Sequence, residues 1–194
     1  MEKAILFIEH IERFTSPLTP SEKASILSFF SFETQAKKTW IQEAGKPCTT
    51  LCFVLRGCLR SYYIKANGIE QTVDFAIEQW WLTDYLAFEN QTSSDFYIQT
   101  VEPTDILLIT SADFKALMVA HPIMEKYFRI IFQKAYGAAQ RRLKFLYEYS
   151  REELYFHFEA QFPAFVQRIP QYLLASYLGF SPEYLSEIKK KRFS

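Results

Sequence analysis

Cysteine and histidine are scarce in this chain and badly spaced for chemistry. Cys48, Cys52 and Cys58 fall on or beside one expected strand with no histidine near them, and His10, His121 and His157 are scattered. That excludes zinc-type ligand spacing and a disulfide framework, so buried reduced thiols are expected and neither metal nor cofactor is. Glycine is also sparse, five in 194 residues, which leaves no Gly-rich phosphate loop. Paired catalytic carboxylates and a Cys/His nucleophile arrangement are missing as well, so no catalytic residue is assigned and an enzyme is not expected. There is no apolar run of about 18 residues, and the N-terminal MEKAILFIEHIERF is broken by charge. A cytoplasmic protein without membrane contact is the expectation.

Net charge is absent too, with 22 Lys and Arg against 22 Asp and Glu. The total therefore says nothing of nucleic acid, but the distribution is less neutral. From Arg168 onward, Arg168, Lys189, Lys190, Lys191 and Arg192 face only Glu183 and Glu187. Such a basic helix end suits phosphate contacts, and it equally suits the helix dipole.

What is plentiful is apolar side chain, 49% of residues with 18% aromatic, enough for a substantial core. Residues 2 to 14 read as an amphipathic helix burying Ile5, Ile8 and Ile11, or else Leu6 and Phe7. Thr19-Pro20-Ser21-Glu22 has capping-box spacing, which starts a second helix running to about Phe30. From Glu33 to Ile109 short β-rich runs alternate with turns: 39–42, 51–55, 58–64, 69–75, 97–101 and 105–109. Asn67-Gly68 predicts a two-residue hairpin, and Gly45 and Gly57 mark strand boundaries. Residues 78 to 95 interrupt the alternation, with a short helix over 82–88. They read as a ligand cradle or as a packing loop anchored by Trp80, Trp81, Tyr85 and Phe88.

Ser111 is expected to cap a helix over 112–119, which His121-Pro122 ends. A helix of about 40 Å then runs from Ile123 to Tyr149. Its stripe Phe128, Ile131, Ala135, Ala138, Arg142 and Phe145 predicts a parallel dimer seam, or packing on the same chain, or both. Ser150 and Glu153 make a second capping box for a helix to about Ala160.

The last stretch, QYLLASYLGFSPEYLSEIKK, has helix-turn-helix spacing. Ala175 allows close helix approach, Gly179 permits a left-handed turn, and Leu185 and Ile188 point back into the crossing. Ser181 caps the second helix, and Pro182 and Glu183 suit its first turn. In a DNA reader, Glu183, Tyr184 and Glu187 would meet base edges, while Lys189, Lys190, Lys191 and Arg192 would meet phosphates.

In this order and at this length, the pieces resemble the Crp/Fnr family of bacterial transcription regulators over almost the whole chain. Gly45, Gly57 and the run LASYLGFSPEYLSEI carry the likeness. The resemblance implies an α+β fold: a cyclic-nucleotide-binding-like β-roll (double-stranded β-helix) over 1–120, a dimerisation helix over 121–150 and an all-α helix-turn-helix domain over 151–194. It also implies a homodimer on double-stranded DNA, with a small-molecule effector and RNA polymerase as further candidate partners.

By that likeness Thr83 and Asp84 stand where the family has Gly-Glu for the ribose. Ser93, Ser94 and Asp95 stand around its phosphate-binding Arg-Ser pair, and Ala138 and Ala139 near its adenine contacts. Serine in place of arginine loses a charged hydrogen bond of about 1.5–3 kcal/mol, so tight cyclic AMP binding is not expected, although Asp84 keeps the capacity to bind a hydroxyl. The family's base-reading arginines correspond to Pro182 and Glu187. Since the sequence stops at Ser194, no β-hairpin wing is expected. The competing reading is a small-molecule sensor or protein-interaction module whose helix-turn-helix does not bind DNA.

Overall fold

The computed structural model describes residues 2–191. Helix α1, Glu2–Glu12, buries Phe7, Ile8 and Ile11 and leaves Ile5 and Leu6 exposed, so the buried face is turned from the Ile5/Ile8/Ile11 stripe. Helix α2, Pro20–Leu27, starts at the expected capping box: Thr19 Oγ1 accepts from the Glu22 amide at 3.3 Å and Glu22 Oε2 from the Thr19 amide at 2.7 Å.

The strands are β1 (Ser31–Gln35), β2 (Trp40–Gln42), β3 (Thr50–Arg56), β4 (Leu59–Ile64), β5 (Glu70–Ala76), β6 (Trp81–Leu82), β7 (Tyr97–Thr100) and β8 (Thr104–Thr110). They form two four-stranded sheets, ordered β1-β8-β3-β6 and β2-β7-β4-β5. Between the sheets lie Cys52, Val54, Leu82 and Ile106 of the first and Leu59, Ala76 and Ile98 of the second. The other face of the first sheet, carrying Leu51, Phe53, Trp81, Leu107 and Ile109, packs against Phe7, Ile11, Ile26, Tyr127 and Phe128. Full burial stabilises by about 1.5–3 kcal/mol per large side chain, which makes this aromatic cluster the main core.

Strands β1 and β6 were not expected, and the β4–β5 loop differs from the expected two-residue turn. Lys65 N bonds Ile69 O at 2.9 Å and Gly68 N bonds Lys65 O at 2.8 Å, giving a three-residue loop with Gly68 at φ +81°. Gly57 is the more constrained glycine. At φ +106°, a Cβ there would lie 2.6 Å from Thr104 Oγ1 and 2.8 Å from Pro103 O.

Helix α3 is Tyr85–Asn90, later than expected because Trp81 and Leu82 pair with β3. Helix α4, Ser111–Ala120, is capped by Thr110, whose side chain accepts from the Asp113 amide, so Ser111 lies inside the helix. Helix α5 is Ile123–Glu148.

The chain divides into two compact units. One comprises the chain up to Tyr63 with Asp74–Gln133; the other comprises Ile64–Val73 with the chain from Lys134. The division therefore falls within α5, away from the expected boundaries at 120 and 150. The second unit holds α6 (Arg151–Gln161), an unexpected short helix α7 (Pro163–Arg168), α8 (Gln171–Leu178) and α9 (Pro182–Lys191). The Ser150/Glu153 capping box opens α6. Leu154, Tyr155, Val166, Leu174, Ala175, Leu178, Leu185 and Ile188 are buried in it.

Within this unit the start of β5 is bonded to α8. Ser176 Oγ accepts from the Thr72 amide at 2.8 Å and donates to Glu70 O at 2.9 Å, and Gln71 Nε2 donates to Ser176 O. Arg142 of α5 donates to Val73 O and, at 3.0 Å, to Tyr177 O, with its guanidinium 3.9 Å from the Tyr177 ring centroid.

Candidate functional site

Thr83, Asp84 and Ser94 are brought together, but the protein itself satisfies them: Asp84 and Ser94 bond each other, and Thr83 bonds Thr50. Asp84 caps α3, its Oδ1 accepting from the Ala87 amide at 3.2 Å. Its Oδ2 accepts from Ser94 Oγ at 3.0 Å and from the Asp95 amide at 3.1 Å. Ser94 is 2% exposed and also accepts from the Phe96 amide at 3.0 Å. Thr83, also buried, donates to Thr50 O at 2.8 Å, with Cys48 Sγ 3.2 Å from its hydroxyl. Both Asp84 oxygens thus accept from the protein's own donors, three bonds in all. Ser93 is exposed and bridges to Pro47 through the backbone. Ala138 and Ala139 lie in the other compact unit, exposed on α5.

The expected seam residues also divide. Phe128 is buried against Trp81 (5.0 Å between centroids) and Phe114 (4.8 Å), and Ile131 packs on the same core. Arg142 is bound to Val73 and Tyr177 as above, and Phe145 packs on Tyr149 (5.5 Å) and His157 (4.6 Å). These side chains are engaged within their own chain, the second of the packings expected for the stripe; Ala135 and Ala138 are exposed. The large apolar residues that α5 exposes are Tyr136, Leu143, Leu146 and Tyr147. At about 100° per residue they lie roughly a third of a turn from the expected stripe.

In the second unit, α8 ends at Gly179 with φ 80° and ψ 26°, the left-handed cap expected there. Phe180 and Ser181 complete the turn, and Ser181 Oγ accepts from the Tyr184 amide at 3.2 Å. Glu183 and Glu187 stand exposed one turn apart on α9. Tyr184 is half-buried, 5.7 Å from Phe180 and 5.8 Å beneath the Arg151 guanidinium, so its ring is held by the protein and does not project with the two glutamates. Lys191 pairs with Glu152 at 2.7 Å, which holds its ammonium above the usual lysine range. Lys189 lies 5.8 Å from the Tyr155 ring, Lys190 is exposed, and Arg192 falls outside the described residues.

Sequence reasoning missed a buried polar cluster in the first unit. Tyr127 OH accepts from Trp81 Nε1 at 2.9 Å and lies 2.8 Å from His10 Nδ1. Burial pushes its phenol well above the usual tyrosine range. Burial likewise raises the Cys52 thiol, followed by Cys48 and Glu33. No group of three or more His, Cys, Asp or Glu able to hold a metal ion occurs among the described residues, nor any helix long and apolar enough to cross a membrane.

Residues 33–121 match the profile of the "Cyclic nucleotide-binding domain" family. No curated protein sequence matches the chain. Among solved structures, the catabolite activator protein of Thermus thermophilus is 19% identical with a TM-score of 0.57, covering 94% of this chain and 85% of that one. A CooA mutant from Carboxydothermus hydrogenoformans is 16% identical with a TM-score of 0.67, covering 86% and 78%. The c-di-GMP-responsive global regulator CLP of Xanthomonas campestris is 16% identical with a TM-score of 0.66, covering 89% and 91%. The chain thus carries an N-terminal antiparallel β-sandwich of the cyclic-nucleotide-binding type followed by helices, in a fold similar to that of Crp/Fnr-type regulators.

Proposed function

We propose that the protein is a dimeric, sequence-specific DNA-binding transcription regulator of the Crp/Fnr type that does not bind cyclic AMP tightly. The observation carrying this reading is the α8–α9 pair. A left-handed Gly179 and a Ser181 cap join two helices whose buried faces hold Ala175, Leu185 and Ile188, while Glu183, Glu187 and Lys190 are exposed. A second helix so presented is the geometry that enters a major groove, where a carboxylate accepts from cytosine N4. The exposed stripe Tyr136, Leu143, Leu146 and Tyr147 supports pairing through α5. Asp84 bonded to Ser94, with no arginine beside it, supports the loss of tight cyclic AMP binding.

The test is selection of bound sequences from a random duplex pool at two salt concentrations. An enriched, roughly palindromic site with half-sites one helical turn apart, and affinity falling steeply with salt, is the expected result. No enrichment at either salt overturns it. The alternative, a sensor or protein-interaction module, is favoured by one observation: Lys191 and Lys189 are turned to Glu152 and Tyr155, beside two exposed glutamates. Such a protein would bind DNA of any sequence weakly.

A further inference from the structure

A cavity in the first unit, lined by none of Thr83, Asp84 and Ser94, opens where the edge strands β1 and β2 border the two sheets. Its volume is about 330 Å³, within the range of small-ligand sites. The register of β1 explains why it is there. Ser31 pairs with Leu108, Glu33 with Ile106 and Gln35 with Thr104, while Leu108 and Ile106 pair onward with Cys52 and Val54. Directly paired residues share a face. Ser31, Glu33 and Gln35 therefore lie on the inner face, the one that elsewhere carries the intersheet core. Glu33 is exposed at this edge, and Ile41 and Leu108 supply the cavity's apolar lining.

The walls have a definite chemistry. Trp40 is 54% exposed, and its indole Nε1 is fixed by a 3.1 Å bond to Tyr62 OH, which holds the ring at the cavity. Of the ionised lining groups, Lys46 is neutralised by Glu43 at 2.5 Å. Glu33 accepts from Gln35 Nε2 at 2.6 Å through Oε2, and its charge has no cationic partner within the lining. An inward charge on an edge strand also discourages strand addition. That role needs neither a cavity nor an indole face beside the carboxylate.

We propose that this mouth binds a small organic cation, a primary ammonium or guanidinium on a short apolar body, with the cation shared between the Glu33 carboxylate and the Trp40 ring and the body on Ile41 and Leu108. Charge-assisted hydrogen bonding and cation–π attraction act together there. The assignment names an effector class for the regulatory reading but does not rest on DNA binding.

The test is calorimetric titration of the full chain with phenethylammonium and n-butylguanidinium chlorides, and with phenethyl alcohol as the neutral counterpart. Both cations are expected to bind at least about tenfold more tightly than the alcohol. Glu33→Gln should weaken them by about tenfold or more, Glu33→Asp should recover part of the affinity, and Trp40→Leu should weaken them severalfold. Melting curves by circular dichroism check that each variant is folded. No heat with either cation, equal affinity for the alcohol, or unchanged affinity in folded Glu33→Gln each overturns the proposal. Duplex selection on the same preparation is read separately: cation binding without sequence enrichment overturns the regulator and leaves this site standing, whereas enrichment without cation binding does the reverse.

Discussion

Asp84 was read from sequence as a residue for a ligand, and the structure gives it a structural duty whose size can be measured. Asp84→Ala removes the α3 cap, worth about 1 kcal/mol, and the charged acceptor of Ser94 Oγ and the Asp95 amide. Two bonds to a carboxylate would contribute about 1.5–3 kcal/mol each when buried; half-exposure of Asp84 discounts both. The total is about 2–4 kcal/mol. At an m-value near 2 kcal/mol per M, the urea midpoint falls by about 1–2 M. Asp84→Asn keeps the cap and should lose about half as much. Ser94→Ala combined with Asp84→Ala should show a coupling of about 1 kcal/mol. Fluorescence is the suitable probe, because Trp40, Trp80 and Trp81 all lie in the first unit and report its unfolding alone. A midpoint shift below about 0.3 M, or additive single effects, refutes the reasoning. So does a rise in the wild-type midpoint with millimolar cyclic AMP, since a ligand at a hundred times its Kd would add about 2.7 kcal/mol.

Gly57→Ala forces a Cβ into Thr104 and Pro103 at positive φ; a loss of at least about 2 kcal/mol is expected, read as a Tm lowered by about 4–8 °C. Tyr127→Phe strips the acceptor from the buried Trp81 N–H and the partner from His10 Nδ1; about 2–4 kcal/mol of stability should disappear in urea unfolding. Glu12, Glu22 and Glu153 have folded pKa values below their ordinary 4.5, mainly through bonds from the Leu18 amide, the Thr19 amide and the Ser150 hydroxyl respectively. Their stabilising contribution is complete above about pH 5 and is lost as pH falls through the lowered values, so the slope of Tm against pH below 4.5 should flatten in Glu22→Gln/Glu153→Gln. Leu143→Glu places a charge in the exposed α5 stripe; on the proposed α5 pairing, light scattering should show a dimer for the parent and a monomer for the variant, with the far-UV spectrum unchanged.

Local signals were legible wherever one residue type had one physical job. The capping boxes at Thr19 and Ser150, the left-handed Gly179 and the break at Pro122 all stand in the structure. Strand β1 was hidden because it carries no apolar alternation: Ser31 to Thr34 are all exposed, and the polar Glu33 and Gln35 lie on the face turned toward the second sheet. The α5 stripe was legible as a stripe but not as to its partner, because periodicity shows that a face is apolar and not what covers it. Trp81 and Tyr127 meet His10 across long sequence separations, and no local pattern encodes such a triad. Thr83, Asp84 and Ser94 were counted to the right neighbourhood, yet the Ser94–Asp84 bond depends on a loop closing through Pro47 and Ser93.

The route of the backbone between the two units sets a limit on dissection. It passes from one to the other at residues 63–64, 73–74 and 133–134, so the short Ile64–Val73 segment is an island of the second unit inserted in the sequence of the first. A fragment begun at Lys134 would leave Ser176 Oγ without the Thr72 amide and Glu70 carbonyl, and Arg142 without the Val73 carbonyl. Its α8 would carry a freshly stripped polar flank. The terminal helices are therefore not a cassette that a single cut can move to another protein, and a faithful graft has to bring the 64–73 loop in trans or through a permuted chain.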